Sequence, residues 1–459
     1  MTFVEALPLF MFLALGTLLF TGFPVAFILG GIGLGFAFFA QELGAFNMAR
    51  LAILPNRIFG GTMENPVLVA IPMFIYMGTM LEKSGVAKDL LHCLQVLTRR
   101  VPGGLALSVT LMGTIMAATT GIIGASVVMM TLLALPVMME RNYSLPLATG
   151  TIASSGTLGI LIPPSIMLVI MSDLMSIPVG TVFIAAIVPG LLLSALYSAY
   201  ILITCTINPK LAPPLPDDIG PKSRAEFWTM IIRSFVPPVL LIVMVLGSIF
   251  AGIATPTEAA GVGAIGATLL AILNRMLSFE VLREVCERSA LTTGMLFGIF
   301  VGATCFSLMF RFLGGEALID DFINWAGVGS WGILFVLMGM IFLLGFFFDW
   351  IEITLIVLPV FGPIVAKLDF GTHLAGYEGV GEVALIWFTI LVSVNLQTSF
   401  LTPPFGFALF YMKGVAPPGV TIQHIYRGII PFVVLQLVGL AMCVLFPALV
   451  LWLPQALLE

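Results

Sequence analysis

Gly156-Thr157-Leu158-Gly159-Ile160-Leu161-Ile162-Pro163-Pro164-Ser165 and Gln397-Thr398-Ser399-Phe400-Leu401-Thr402-Pro403-Pro404-Phe405 read as two versions of one design. They lie about 240 residues apart, roughly half the chain, which is the separation expected of an internal repeat. Each sets small polar residues and a Pro-Pro pair inside a long apolar stretch. Proline removes a helical hydrogen bond, and backbone freed in this way cannot face lipid, so each segment has to line a protected cavity. Paired broken segments in the two halves of a membrane protein point to a transporter's binding site.

The rest of the chain supports a membrane setting. It has 459 residues, of which 60% are hydrophobic and 9% charged, with a mean hydropathy of +1.16. A soluble domain carries about 25% charged residues. The protein is therefore expected to be all-helical and polytopic, with most of its length in or on the bilayer. No basic tract indicates a nucleic-acid partner. Cys93, Cys205, Cys286, Cys305 and Cys443 lack metal-ligand spacing and read as small apolar side chains. The run after Glu5 has no basic leader and reads as a first membrane helix rather than a cleaved signal.

Working outward from the two Pro-Pro segments, each becomes the tip of a re-entrant hairpin, at about 147–171 and 385–413. Residues 6–39 exceed the ~20 residues of one span and break at Gly22-Phe23-Pro24. A span is expected at 66–82, an amphipathic interfacial helix at 86–98, and a long segment at 104–138 interrupted near Thr120 and Gly124. Further spans follow at 178–204 and 229–250. The polar stretch 206–226 is the boundary between a first repeat, 1–205, and a second, 227–459. In the second, Thr255-Pro256-Thr257-Glu258 breaks an opening segment and Phe279–Arg288 is amphipathic ahead of a span at 290–312. A long apolar run at 331–366 carries Asp349 and Glu352, and a closing span covers 429–452. An odd number of crossings per half would invert one repeat relative to the other.

Candidate chemistry concentrates at the breaks. Backbone carbonyls at helix C-terminal ends and nearby hydroxyls can replace the hydration shell of Na⁺. Thr120, Gly159, Ile162 and Pro163 supply such groups in the first half, and Gly345, Ser399, Thr402 and Pro403 in the second. Asp349 is a carboxylate in an apolar run, which is costly and functional by default, and Glu352 shares its helix face; the alternative is a solvated position at a helix break. Ser155, Asp349, Asn395 and Thr398 are the residues expected to face substrate. There is no H-E-x-x-H, G-x-S-x-G or G-x-x-x-x-G-K-[ST], and His92, His373 and His424 do not sit beside a serine or cysteine in a recognisable nucleophile setting, so catalysis and ATP-driven pumping are not expected. A channel would differ in passing ions without substrate.

Ala153-Ser154-Ser155-Gly156-Thr157-Leu158-Gly159-Ile160-Leu161-Ile162-Pro163-Pro164-Ser165, Ala254-Thr255-Pro256-Thr257-Glu258-Ala259-Ala260 and Leu401-Thr402-Pro403-Pro404 resemble the large DctM-type membrane subunit of TRAP transporters, over essentially the whole chain. The resemblance implies uptake of small organic acids with Na⁺ as the coupling ion, across the bacterial inner membrane. It also implies a separate four-helix membrane subunit, a periplasmic substrate-binding protein, and an elevator-type transport domain moving against a scaffold. It maps cation sites onto Thr120, Gly159, Ile162 and Pro163, and onto Gly345, Ser399 and Thr402. Ala117 and Thr120 stand where relatives carry serines, and Ser399 where glycine is common. A stand-alone Na⁺- or H⁺-coupled dicarboxylate or ion transporter is the competing reading.

Overall fold

The computed structural model describes residues 3–120, 123–214, 220–221, 223–377, 382–403 and 406–458, with backbone alone at 118–120, 320, 322–326 and 458. The described residues are helical and contain no strand. Seven helical segments among them are long and apolar enough to cross a membrane, and shorter apolar helices meet at the breaks. The protein is a multi-pass membrane protein.

The chain opens with α1 (Leu7–Leu19) and α2 (Val25–Glu42), separated where Gly22 takes a left-handed φ of 78° and Pro24 sets the start of α2. A short α3 (Ile53–Ile58) leads to α4 (Ala70–Lys83) and α5 (Val86–Thr98). Pro102 and Gly103, the latter at φ 70°, turn the chain into α6 (Gly104–Thr120). Thr98 Oγ1 reaches back across this corner to Gly104 O at 2.7 Å. Next come α7 (Ile123–Glu140), α8 (Leu145–Thr157), α9 (Ile166–Leu174) and α10 (Val179–Ile207).

In the second half α11 (Arg224–Met230) runs through a wide π turn into α12 (Val236–Phe250). The turn widens just ahead of Pro237 and Pro238, whose nitrogens cannot donate. Then follow α13 (Pro256–Leu273), opened by a Thr255–Glu258 capping box, and α14 (Phe279–Phe312). The amphipathic stretch at 279–288 is thus continuous with the following span, whereas α5 and α6 are separate. Nothing between 279 and 293 breaks the helix, whereas Pro102-Gly103 stands between α5 and α6. The chain continues as α15 (Gly315–Ala326), α16 (Ser330–Leu344) and α17 (Trp350–Val365). It ends in α18 (Val383–Ser399), α19 (Phe407–Val415), α20 (Ile422–Leu445) and α21 (Ala448–Leu458).

The closing span expected at 429–452 is therefore two helices, divided at Pro447. Proline leaves the carbonyl four residues back without its helical donor. That carbonyl, Cys443 O, accepts from Trp387 Nε1 at 3.0 Å, and the next, Val444 O, pairs with His373 Nε2 at 2.8 Å. The kink thereby ties α20 to α18.

Helices α8 and α18 sit at the centre, and every described side chain of α8 from Leu147 onward and of α18 from Leu385 onward is buried. α8 lies among α6, α7 and α20, and α18 among α10, α16 and α20. At the α8–α20 crossing a Cβ on Gly150 would overlap Gly428 O, a close backbone approach of the small-residue kind that packs membrane helices. Long α14 runs along α2 at the periphery, and α13 along α4.

Candidate functional site

The first Pro-Pro break is the turn Leu158–Ser165, between α8 and α9. Pro163 and Pro164 cannot donate, so the helix tightens: a 3₁₀ turn spans Leu158–Ile160, and Leu161 N and Ile162 N both donate to Leu158 O, at 3.0 and 3.1 Å. Ser165 Oγ takes up Ile160 O. Among the described residues no hydrogen bond ends on the carbonyls of Gly159, Ile162 or Pro163. Ile162 presses on α10 at Gly190, where a Cβ would stand 2.8 Å from its Cγ1. The turn packs against α6, which ends at Thr120. The side chain of Thr120 lies outside the described residues, as does the interruption at 121–122.

The second break follows Ser399, between α18 and α19. Thr402 N and Thr402 Oγ1 both donate to Thr398 O at 3.0 Å. Ser399 Oγ is buried and has no partner among the described residues. Gly345, which caps the C-terminus of α16, lies directly against it, so that a Cβ there would overlap Ser399 Oγ. Gly345 and Ser399 thus meet at the ends of two helices, beside an unsatisfied oxygen. This donor set, one hydroxyl among C-terminal carbonyls, fits an alkali cation. Pro404 and Phe405 lie outside the described residues.

Asp349 and Glu352 have a local explanation. The apolar run at 331–366 is broken between α16 and α17, and Asp349 is the N-cap of α17. Its Oδ1 accepts from Trp350 N at 2.8 Å, and Glu352 Oε2 accepts from Asp349 N at 3.1 Å, a capping box. The helix N-terminus supplies the donors and the partial positive charge that stabilise the two carboxylates.

Asp349 opens into a cavity of about 130 Å³ beside the helix breaks. Its walls include Ile123 and Gly124 of α7, Ile166 of α9, Trp350 of α17 and Phe407 of α19. These are the first residues of four helices, two from each half. The helices that precede the same breaks, α6, α8, α16 and α18, end at Thr120, Thr157, Leu344 and Ser399. Each break therefore presents a C-terminal end next to a cation candidate and an N-terminal end toward the cavity. A helix N-terminus carries unpaired N–H groups and roughly half a positive charge, so four converging on one cavity favour an anion.

The other three substrate candidates do not line this cavity. Ser155 is fully buried, fits the notch at Gly113 of α6 and donates to Thr110 Oγ1 at 3.3 Å. Asn395 Nδ2 donates to Met338 O of α16 at 2.7 Å, and Thr398 Oγ1 donates to Asn395 O at 2.6 Å. Their polar groups are spent in helix seams, although Asn395 Oδ1 is left without a partner. The cavity walls also include Thr292 and Met295 of α14 and Tyr411 of α19, none of which the sequence singled out. The available signal was position: Ile123, Ile166 and Phe407 each begin a helix directly after a break.

The family model of the DctM component of tripartite ATP-independent periplasmic transporters matches residues 10–449. The chain is 31% identical over 400 residues to the C4-dicarboxylate TRAP transporter large permease protein DctM of Pseudomonas aeruginosa, covering 86% of this chain and 87% of that one. With the protein of the same name from Rhodobacter capsulatus it shares 29% identity, covering 96% of this chain and 97% of that one. The crystal structure of the Alcanivorax borkumensis YdaH transporter, described as having an unusual topology, superposes with a TM-score of 0.55 at 14% identity, covering 86% and 88% of the two chains. An all-helical membrane fold and a family match over nearly its whole length agree: the chain belongs to the DctM family, the large permease component of TRAP transporters.

Proposed function

We propose that the protein is the translocating subunit of a Na⁺-coupled secondary importer of small organic acids in the bacterial inner membrane. The observation that carries the reading is the convergence of the four helix N-termini of α7, α9, α17 and α19 on one cavity. A substrate carboxylate there is stabilised by backbone N–H groups without a buried fixed cation. Asp349, on the same rim, serves a substrate hydroxyl or a cation, since it would repel a carboxylate directly. Na⁺ binds at the opposite ends of the same breaks: at Thr120 with Gly159, Ile162 and Pro163, and at Gly345 with Ser399 and Thr402. Loading these sites neutralises C-terminal carbonyls that face the hairpin tips, which links cation binding to closure around the anion. The C4-dicarboxylate assignment of the two relatives supports the substrate class.

In this reading residues 1–205 and 227–459 are inverted repeats joined by 206–226, and the two hairpins ride in a transport domain that moves elevator-fashion against a scaffold. A small four-helix membrane subunit and a periplasmic substrate-binding protein complete the system. Each net charge carried down the field is worth about 2.3 kcal/mol per 100 mV, so two or more Na⁺ per substrate give strong accumulation.

The test is uptake of radiolabelled lactate, 2-oxo acids and C4-dicarboxylates into proteoliposomes holding the chain and its small subunit. Binding protein and an inward Na⁺ gradient are each supplied or withheld. Uptake that needs both is the expected result. Uptake by the chain alone, or driven by protons without Na⁺, would replace this reading with a stand-alone transporter.

A further inference from the structure

Helix α14 walls a second cavity beyond the first. Thr292 and Met295 face the cavity at the helix N-termini, and further along Thr304, Ser307 and Arg311 face another of about 170 Å³. Residues 292 to 311 cover about 28 Å of helix, close to the thickness of a bilayer's hydrocarbon core. One helix thus fronts two cavities over roughly the depth of a membrane. The second is closed by Leu174 at the end of α9, by Pro359 of α17 and by Arg57 of α3.

It too favours an anion, but through side chains rather than helix ends. Two guanidinium groups and two hydroxyls face it. Arg311 pairs through Nε with Glu316 at 2.9 Å, and its Nη2 donates to Pro359 O at 3.4 Å. That carbonyl lacks a helical donor because residue 363 is proline. Arg57 has no carboxylate partner among the described residues. The nearest acidic group on α9, Asp173, is taken by Asn65 Nδ2 at 2.6 Å. The walls thus leave Arg57 without a carboxylate partner among the described residues, while Arg311 is paired with Glu316 and keeps further guanidinium donors facing the cavity.

We infer that the Arg57–Arg311 cavity is a second anion site, which holds the carboxylate of the substrate on its way to or from the cavity at the helix N-termini. The inference rests on the organic-acid reading above. Arginine presents a planar fork of donors matched to a carboxylate, and Thr304 and Ser307 complete the donor set. A staged site explains how an anion crosses the apolar face of α14 without losing all its partners at once.

The experiment modifies the full-length protein in detergent with 2,3-butanedione in borate, which adds to accessible guanidinium groups. Modification of Arg57 and Arg311 is followed by peptide mass spectrometry. Sodium succinate, lactate and pyruvate are compared with sodium chloride at equal ionic strength, with succinamide, and with sodium sulfate. At least one carboxylate should slow modification of both arginines severalfold, with no effect of chloride or succinamide, and the protection should persist in Asp349→Asn. In uptake, Arg57→Gln should raise the half-saturating concentration by about tenfold, as expected for one lost charge-assisted contact, and Arg57→Lys should recover part of it. Equal modification with and without every carboxylate, or equal protection by chloride, overturns the site. Protection that disappears in Asp349→Asn also overturns it, because it would report closure at the first cavity. Uptake without protection removes the second site and leaves the transport reading standing. Protection by sulfate alone, with no organic acid taken up, removes the transport reading and the carboxylate assignment together.

Discussion

Replacing Ser399 by alanine separates a coordinating hydroxyl from a packing one. Ser399 is 2% exposed and its Oγ has no partner among the described residues. A buried hydroxyl without a partner costs about 1–3 kcal/mol. In the Na⁺-free protein, Ser399→Ala should therefore be neutral or stabilising, since alanine keeps the Cβ that packs on Gly345. With Na⁺ the sign reverses. One contact to a charged group is worth about 1.5–3 kcal/mol, so losing it weakens the cation site roughly 10- to 150-fold. The assay is thermal unfolding of the purified full-length protein across a NaCl titration, with choline chloride holding ionic strength. Na⁺ at a hundred times its Kd stabilises a one-site protein by about 2.7 kcal/mol; after a thirtyfold weakening the same Na⁺ gives about 0.9 kcal/mol. Refutation would be an alanine variant less stable than wild type without Na⁺ and gaining the full wild-type increment with it. The hydroxyl would then be a packing group and the Gly345–Ser399 contact a simple helix crossing.

Gly345→Ala should destabilise by about 1–3 kcal/mol and blunt the Na⁺ response, because its Cβ would stand 2.6 Å from Ser399 Cβ. Adding Ser399→Gly removes that atom and should restore part of the stability but not the Na⁺ response, since it also removes the hydroxyl; a Gly345→Ala protein that melts like wild type would sink the crowding argument. Asp349→Asn should leave thermal stability within about 0.5 kcal/mol, since asparagine caps a helix as well as aspartate, while uptake in proteoliposomes falls sharply; retained uptake would place the charge outside the transport step. Trp387→Phe removes the donor to Cys443 O and should cost about 1–3 kcal/mol. Pro447→Ala in that background supplies a backbone N–H for the same carbonyl and should recover much of the loss, read as the melting temperatures of the two single variants and the double.

Several features could be read from the chain because their causes are local. Gly22 and Pro24, the Pro-Pro pairs after Ile162 and Thr402, and Thr255-Pro256 break helices through missing donors and special φ values, wherever the helices pack. The same reasoning missed two boundaries. The closing span splits at Pro447, a residue passed over because the surrounding run is uniformly apolar. The amphipathic stretch at 279–288 continues into α14, whereas the amphipathic α5 is a separate helix. Asp349 and Glu352 looked anomalous in an apolar run until the break placed them on the first turn of α17.

The orientation of side chains about their helix axes was not legible. Ser155 on α8 and Asn395 and Thr398 on α18 belong to helices buried on every side. Such helices have no polar face, so periodicity carries no information about which side meets a cavity. Composition and the spacing of proline, glycine and small polar residues determined that this is a helical membrane protein with two matched breaks, because those effects act within a few residues along the chain. The tertiary structure alone decided that the four helix ends after the breaks meet at one cavity while two of the ends before them meet at Gly345 and Ser399. The partial charge at a helix end belongs to the local backbone, but what it acts on is set by which other ends the packing brings within reach.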